Sequence, residues 1–265
     1  MAKIKFIKMH GQGNDYLFIF AEDLDKDIHL PSLSKAMSDR HFGAGSDGIV
    51  ILSQTDDADI KMDIYNADGS LAEMCGTALR CTVYLMADLL NKKQITVLTG
   101  SGIKKGFVEN HTVTVNMGKA TLLSNSEVYL AVENRIFSGY YVSMGNPHFI
   151  IFEPMNHTDQ LKQWGSKIEN HSFFENRSNV EFVEILSENE INVNVWERGS
   201  GITLACGTGA CASAFISNQV KKLSNKLKVN LPGGSVTVSL DINEEIHLMG
   251  LVNSVYHGIY HYKED

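Results

Sequence analysis

No Ser- or Pro-rich linker interrupts the chain, which has only 4 prolines in 265 residues, so composition marks no domain boundary. The longest apolar stretches are broken by Arg80, Asp88 or Asn218. None reaches the roughly 18–20 residues of a membrane span, and no membrane association is expected. The first ten residues lack the apolar core of a signal peptide; they alternate lysine with apolar residues and read as a strand. Basic residues are also short: 23 Lys and Arg stand against 31 Asp and Glu, for a net charge of −8 and a pI near 5.7. That balance argues against nucleic acid or an anionic membrane as partner. It leaves room for a small anionic substrate, because a closed cleft overrides the global charge. With neither a signal peptide nor a membrane span, a cytoplasmic protein is expected, and its four cysteines are then expected to be reduced thiols rather than a disulfide framework. The cysteine spacings C-x5-C and C-x4-C, without nearby histidine, do not suit structural zinc. No phosphate-binding loop is present, and Gly43–Gly48 lacks the strand-to-helix setting of a dinucleotide fingerprint. What remains, 43% apolar and 20% charged residues, is ordinary for a globular core.

Much of the chain alternates with a period of two. Ile60, Met62 and Ile64 interleave with Lys61, Asp63 and Tyr65, and Ile191, Val193 and Val195 with Asn192, Asn194 and Trp196. That is the pattern of half-buried strands. Residues 107–117 and 227–240 read as hairpins, turning at Glu109-Asn110-His111 and at Pro232-Gly233-Gly234. Two segments differ. Residues 75–90 (CGTALRCTVYLMADLL) and 206–220 (CGTGACASAFISNQV) are apolar or small on nearly every side, which predicts buried helices. Lysines follow each, where cations suit the negative end of a helix dipole. Both begin Cys-Gly-Thr and they lie 131 residues apart, which hints at two half-chains of similar build.

A cysteine at a helix start has chemical consequences. The unpaired N–H groups and positive partial charge there favour an anion and are expected to lower a thiol's pKa. Gly76 and Gly207 let a ligand approach the backbone, and the N–H groups that follow suit a carboxylate. Two such thiols facing one carbon would act as base and acid, and the two helix starts would stabilise the enediolate between the proton transfers. For either cysteine alone, packing is the commoner role. Cys81 and Cys211 read as small apolar residues inside their helices.

Further segments pair asparagine with turn residues. Taken in order, MHGQGNDY (9–16), RHFGAGSDG (40–48), NADGSLAEMCG (66–76), SMGNPHFI (143–150), SNVEFV (178–183), WERGSG (196–201), ACGTGACA (205–212) and LPGG (231–234) resemble the diaminopimelate epimerase family over nearly the whole chain. The resemblance implies an α+β fold of two similar domains, each a bent antiparallel or mixed sheet around a buried central helix, with the active site in the cleft between them. The expected domains are 1–118 with 252–265, carrying Cys75, and 119–251, carrying Cys206. It implies that Cys75 and Cys206 are the catalytic thiols and that Gly76, Thr77, Gly207 and Thr208 hold the reacting carboxylate through their N–H groups. Asn66, Asn146, Asn179, Glu197 and Arg198 would hold the far end of the substrate, with Asn14 as a further contact and His148 in support. Arg198 suits a bidentate pair with a distal carboxylate. No cofactor or metal is implied, and a homodimer is. The chain departs from the family's usual pattern at Thr77-Ala78, where Asn-Gly is common, and at Ile202, where Glu is common. Two alternatives stay open: a two-thiol racemase of single-headed amino acids such as histidine, and a non-catalytic amino-acid binder or thiol redox sensor. Asn66, Asn179 and Arg198 together favour a two-headed substrate.

Overall fold

The computed structural model describes residues 2–155 and 157–263. Residues 1, 264 and 265 of the expected first domain, and 156 of the second, lie outside the described residues. The chain divides into two compact units. One takes the described residues up to Val115 and those from Leu251 on; the other is Asn116–Gly250.

In the first unit, strand Ala2–Gly11 turns through Gln12 and Gly13, both at positive φ, into Asn14–Phe20. Its other edge pairs with the C-terminal strand Asn253–Tyr262. Helix α1 (Leu30–Ser38) follows, and Gly48–Ser53 then lies parallel to Asn14–Phe20. Ile60–Asn66 pairs antiparallel to Gly48–Ser53. Next comes helix α2 (Gly76–Leu90), after which Gln94–Thr99 lies parallel to Ile60–Asn66. The hairpin Gly102–Glu109 with Thr112–Gly118 follows, and the unit ends at Val115 within its second strand. Helix α2 packs on strands 2–11, 14–20, 60–66, 94–99 and 102–109, which buries Ala78, Leu79, Cys81, Val83 and Met86.

The second unit repeats this order. Arg135–Ser143 turns into Pro147–Ile151, helix α3 (Thr158–Glu169) follows, and Asn179–Ser187 lies parallel to Pro147–Ile151. Glu190–Glu197 pairs antiparallel to Asn179–Ser187. Helix α4 (Gly207–Lys221) precedes Lys226–Leu231, which is parallel to Glu190–Glu197, and the hairpin Gly234–Leu240 with Ile246–Leu251 follows. An additional strand, Val128–Val132, pairs with Arg135–Ser143. Every residue of α4 from Gly207 to Ser217 is buried, as a helix without a polar face requires. Both α2 and α4 end on a left-handed residue, Asn91 and Lys222. The architecture is α+β with mixed sheets. No helix of the described residues is long and apolar enough to cross a membrane.

The parallel pair beside α2 is pinned by one carboxylate. Asp59 accepts from Lys92 at 2.6 Å and from the N–H and hydroxyl of Thr96 at 2.8 and 2.7 Å. The Lys92 ammonium and these bonds hold its carboxyl down to about 2. A depressed carboxylate contributes stability above its unfolded value of about 3.9 and loses it as pH falls through its folded value. Asp59→Ala therefore lowers the denaturation midpoint at pH 7, and the difference from the parent chain narrows between pH 4 and about 2. Urea melts across that range check this.

Candidate functional site

Both predicted thiols stand at one structural position, the N-cap of their unit's buried helix. Cys75 precedes α2 with an extended backbone (φ −141°, ψ 117°), and its sulfur accepts from the N–H of Ala78 at 3.4 Å. Cys206 precedes α4 likewise (φ −125°, ψ 111°), and its sulfur accepts from the N–H of Gly209 at 3.3 Å. Gly76, Thr77, Gly207 and Thr208 occupy the first two positions of their helices, whose N–H groups have no intrahelical acceptor.

In the first unit the Cys75 thiol donates to Oδ1 of Asn14 at 3.5 Å. The Asn14 amide is fixed from behind: its Nδ2 donates to Asp47 at 2.8 Å. The same Asp47 oxygen accepts the N–H of Asp15, and the Asp47 carbonyl accepts the N–H of Ala67. Arg40 bridges Asp15 and Asp47, with 2.7 Å to each, and Lys8 reaches Asp15 at 2.8 Å. Burial pushes the Asp47 carboxyl up, and the charge of Asp15 adds to that. For Asp15 burial acts the same way, but Arg40 and Lys8 outweigh it and hold the group below its usual range. Asn66 closes its strand, with Nδ2 on the Ser70 hydroxyl at 2.9 Å. Asp47 thus ties the Asn14 turn to the turn that Asn66 begins.

In the second unit Thr208 Oγ1 lies 3.5 Å from the Cys206 sulfur and accepts from Asn146 Nδ2 at 3.4 Å. Asn146 Oδ1 lies 3.0 Å from Nε2 of His148, and Nδ1 of His148 lies 2.6 Å from Glu181. A second group forms around Asn179. Its Oδ1 accepts the N–H of Arg198 at 2.9 Å, and its Nδ2 donates to the Pro147 carbonyl at 2.7 Å. The Arg198 guanidinium donates to the Asn176 carbonyl at 3.3 Å, and Glu197 accepts from the Thr203 hydroxyl. Buried Glu169, at the end of α3, shapes this turn: it accepts from the Trp196 indole at 2.7 Å, the Gly199 N–H at 2.9 Å and Arg177 at 3.0 Å. The predicted residues therefore fall into two sets. Cys75, Gly76, Thr77, Asn14 and Asn66 belong to the first unit; Cys206, Gly207, Thr208, Asn146, His148, Asn179, Glu197 and Arg198 belong to the second.

One expectation is overturned. The helix start was expected to lower the thiol pKa, yet Cys206 is shifted well upward. Burial is the largest cause, since Cys206 is only 6% exposed and a thiolate there is desolvated. Nearby Glu197 and Glu181 add to the rise, and the bonds from Thr208 and Gly209 offset it only in part. Cys81, fully buried in α2, is pushed by burial to about 12 and is an inert packing residue.

Four carboxylates without a sequence signal hold these residues within their own units: Asp15 and Asp47 in the first, Glu169 and Glu181 in the second. Nor does the sequence show why Gly209 is glycine. A Cβ there would lie 2.6 Å from the Glu181 carboxylate and 3.2 Å from the Cys206 sulfur. Alanine gains up to about 1 kcal/mol of helix propensity over glycine, but crowding a packed core costs about 1–3 kcal/mol. Gly209→Ala is therefore expected to be destabilising on balance, by about 1 kcal/mol, which melting curves check. Among the described residues, one cluster has metal-ligand chemistry: Asp241, Glu245 and His247, with ligand atoms within 4.8 Å of one another. Asp241 is occupied in its own turn, accepting the N–H groups of Asn243 and Glu245 and pairing with His247. None of the predicted site residues belongs to it.

A family model described as diaminopimelate epimerase matches residues 6–123 and 140–255. A protein of Agathobacter rectalis described as diaminopimelate epimerase is 41% identical over 283 residues, covering 96% of this chain and 98% of that one. Another, from Parabacteroides distasonis and described in the same words, is 43% identical over 270 residues, covering 96% of this chain and 97% of its own. Among solved structures, a hydroxyproline epimerase from Agrobacterium vitis superposes with a TM-score of 0.76 at 13% identity, over 97% of this chain and 92% of that one. At that identity the likeness shows the fold alone.

Proposed function

Because the chain belongs to the diaminopimelate epimerase family, we propose that it interconverts LL- and meso-2,6-diaminopimelate, with Cys75 and Cys206 as paired acid and base. One observation carries this reading: each unit presents a cysteine as the N-cap of its buried helix, with the sulfur bonded by an N–H of the first turn. In this reading both sulfurs serve one α-carbon, each from its own face. One sulfur removes the α-proton as a thiolate, and the other, entering as a thiol, delivers a proton to the opposite face. The upward shift of Cys206 suits a thiol that enters protonated. Charge that develops on the α-carboxylate is met by the N–H groups of Gly76, Thr77, Gly207 and Thr208, donors already in place before the reaction. Neither a Schiff base nor a metal is required.

Asn66, Asn146, Asn179, Glu197 and Arg198 bind the distal amino-acid group, and Asn14 contacts the substrate near Cys75. Arg198 pairs with the distal carboxylate, while Glu197 accepts from the distal ammonium. His148 supports Asn146. Two working thiols need a reducing compartment, so the proposed place of action is the cytoplasm; the product serves lysine and peptidoglycan-precursor synthesis. A homodimer is proposed from the family alone. The test is turnover of LL-diaminopimelate and L-histidine side by side in deuterium oxide. Deuterium at the α-carbon of diaminopimelate supports the reading. Activity on histidine alone overturns the substrate, and no exchange with either overturns the enzyme in favour of a binder or thiol sensor.

A further inference from the structure

The pair His148 and Glu181 is an unusual object. Both side chains are 0% exposed, and burying ionisable groups costs several kcal/mol unless they are paired. They lie behind Cys206 and are linked to it through side chains alone. From Glu181 Oε1 to His148 Nδ1 is 2.6 Å, from His148 Nε2 to Asn146 Oδ1 is 3.0 Å, from Asn146 Nδ2 to Thr208 Oγ1 is 3.4 Å, and from Thr208 Oγ1 to the sulfur is 3.5 Å. We propose that Glu181 is a positioning residue for Cys206: by holding Nδ1 of His148 it fixes the direction of this hydrogen-bond string, so that the Thr208 hydroxyl points its proton at the sulfur.

Counting protons gives the direction. If the pair held a single proton, it would sit on Nδ1 facing a carboxylate, and Nε2 would be a bare acceptor. The Asn146 amide would then turn its Nδ2 to the histidine and its oxygen to Thr208. The threonine hydroxyl would donate to that oxygen, away from the sulfur. This state also carries a net negative charge in the interior. Burial pushes the Glu181 carboxyl up, and its Oε2 has no hydrogen-bond partner among the described residues. A second proton on the pair removes the net charge, whether as carboxylate with imidazolium or as carboxylic acid with imidazole. In either form Nε2 carries a proton and donates to Asn146 Oδ1. The amide then presents Nδ2 to Thr208, whose oxygen accepts, and the remaining donor, the Thr208 O–H, faces the sulfur. When Cys206 gives up its proton, that hydroxyl and the Gly209 N–H meet the new thiolate. The effect on rate rests on the epimerase reading; the direction of the string does not.

Two measurements test it. Nitrogen-15 NMR of the histidine-labelled full chain, with His148 assigned by its loss in His148→Asn, reads the Nε2 proton without substrate. A protonated Nε2 at pH 7 is expected; a bare Nε2 overturns the proposal. Glutamine can donate an N–H to a bare Nδ1 and keep the direction, whereas leucine cannot. Losing one hydrogen bond to a charged atom, Glu181→Leu is expected to lower kcat about tenfold in both directions with KM within about twofold, while Glu181→Gln stays within about threefold of the parent. Equal rates for the two variants overturn the proposal. If the parent chain does not turn over diaminopimelate, the epimerase reading fails instead, and the NMR result still decides the string. It also decides if Glu181→Leu does not fold.

Discussion

Cys75→Ala and Cys206→Ala are each expected to lower diaminopimelate epimerisation by about a thousandfold or more, because removing a positioned acid or base forfeits its whole contribution. The fold should survive both. Cys75 is half-buried and Cys206 buried, and trimming a cysteine to alanine removes one sulfur from a helix cap, a change of about 1 kcal/mol. The helix starts keep their remaining donors. Circular dichroism and melting curves alongside the rates separate lost chemistry from lost structure. Either variant retaining a tenth of the parent rate would show that its thiol is not an obligatory partner.

Arg198→Ala is expected to lower kcat/KM for diaminopimelate about 100-fold, with most of the change in KM, since leaving a charged substrate group without its partner costs about 2–5 kcal/mol. The turn that carries Arg198 keeps other holds when the guanidinium and its bond to the Asn176 carbonyl are lost. Asn179 holds it through the Arg198 N–H, and Glu169 through the Gly199 N–H and the Trp196 indole. The substitution should therefore remove recognition without collapsing the loop. Unchanged turnover of diaminopimelate would remove Arg198 from the distal subsite.

The two sulfur-bearing helices were legible because their signal is local. A segment apolar on all sides has no stable place except inside, and Cys-Gly-Thr marked both starts. Strands such as Ile60–Asn66 were legible because one face is buried and one is not, which prints a period of two. Helices α1 and α3 were not anticipated. They are short, and their apolar residues are sparse, as in α3 with Leu161, Trp164 and Ile168.

The hidden carboxylates have a different cause. Strand Asn179–Ser187 is covered on both faces over its first half, Asn179 to Val183. Val180 and Phe182 pack with Leu161, Trp164 and Ile168 of α3, while Glu181 meets Gly209 of α4. In sequence Glu181 looks like the solvent-facing alternate of Val180 and Phe182. Only the helix laid over the other face turns it into an interior group. Asp47 and Glu169 act across turns that sequence spacing does not connect, 33 residues from Asn14 and 27 from Trp196. The thiol shift was misread for a related reason. A helix start is visible in sequence, but the depth at which it is buried is not, and for Cys206 depth is the larger effect.

A crystal structure of the complex with an unreactive diaminopimelate analogue tests the central claim most directly. The account predicts the sulfurs of Cys75 and Cys206 on opposite faces of one α-carbon, each within about 3.5 Å of it. An analogue bound with only one sulfur in reach of that carbon would contradict it.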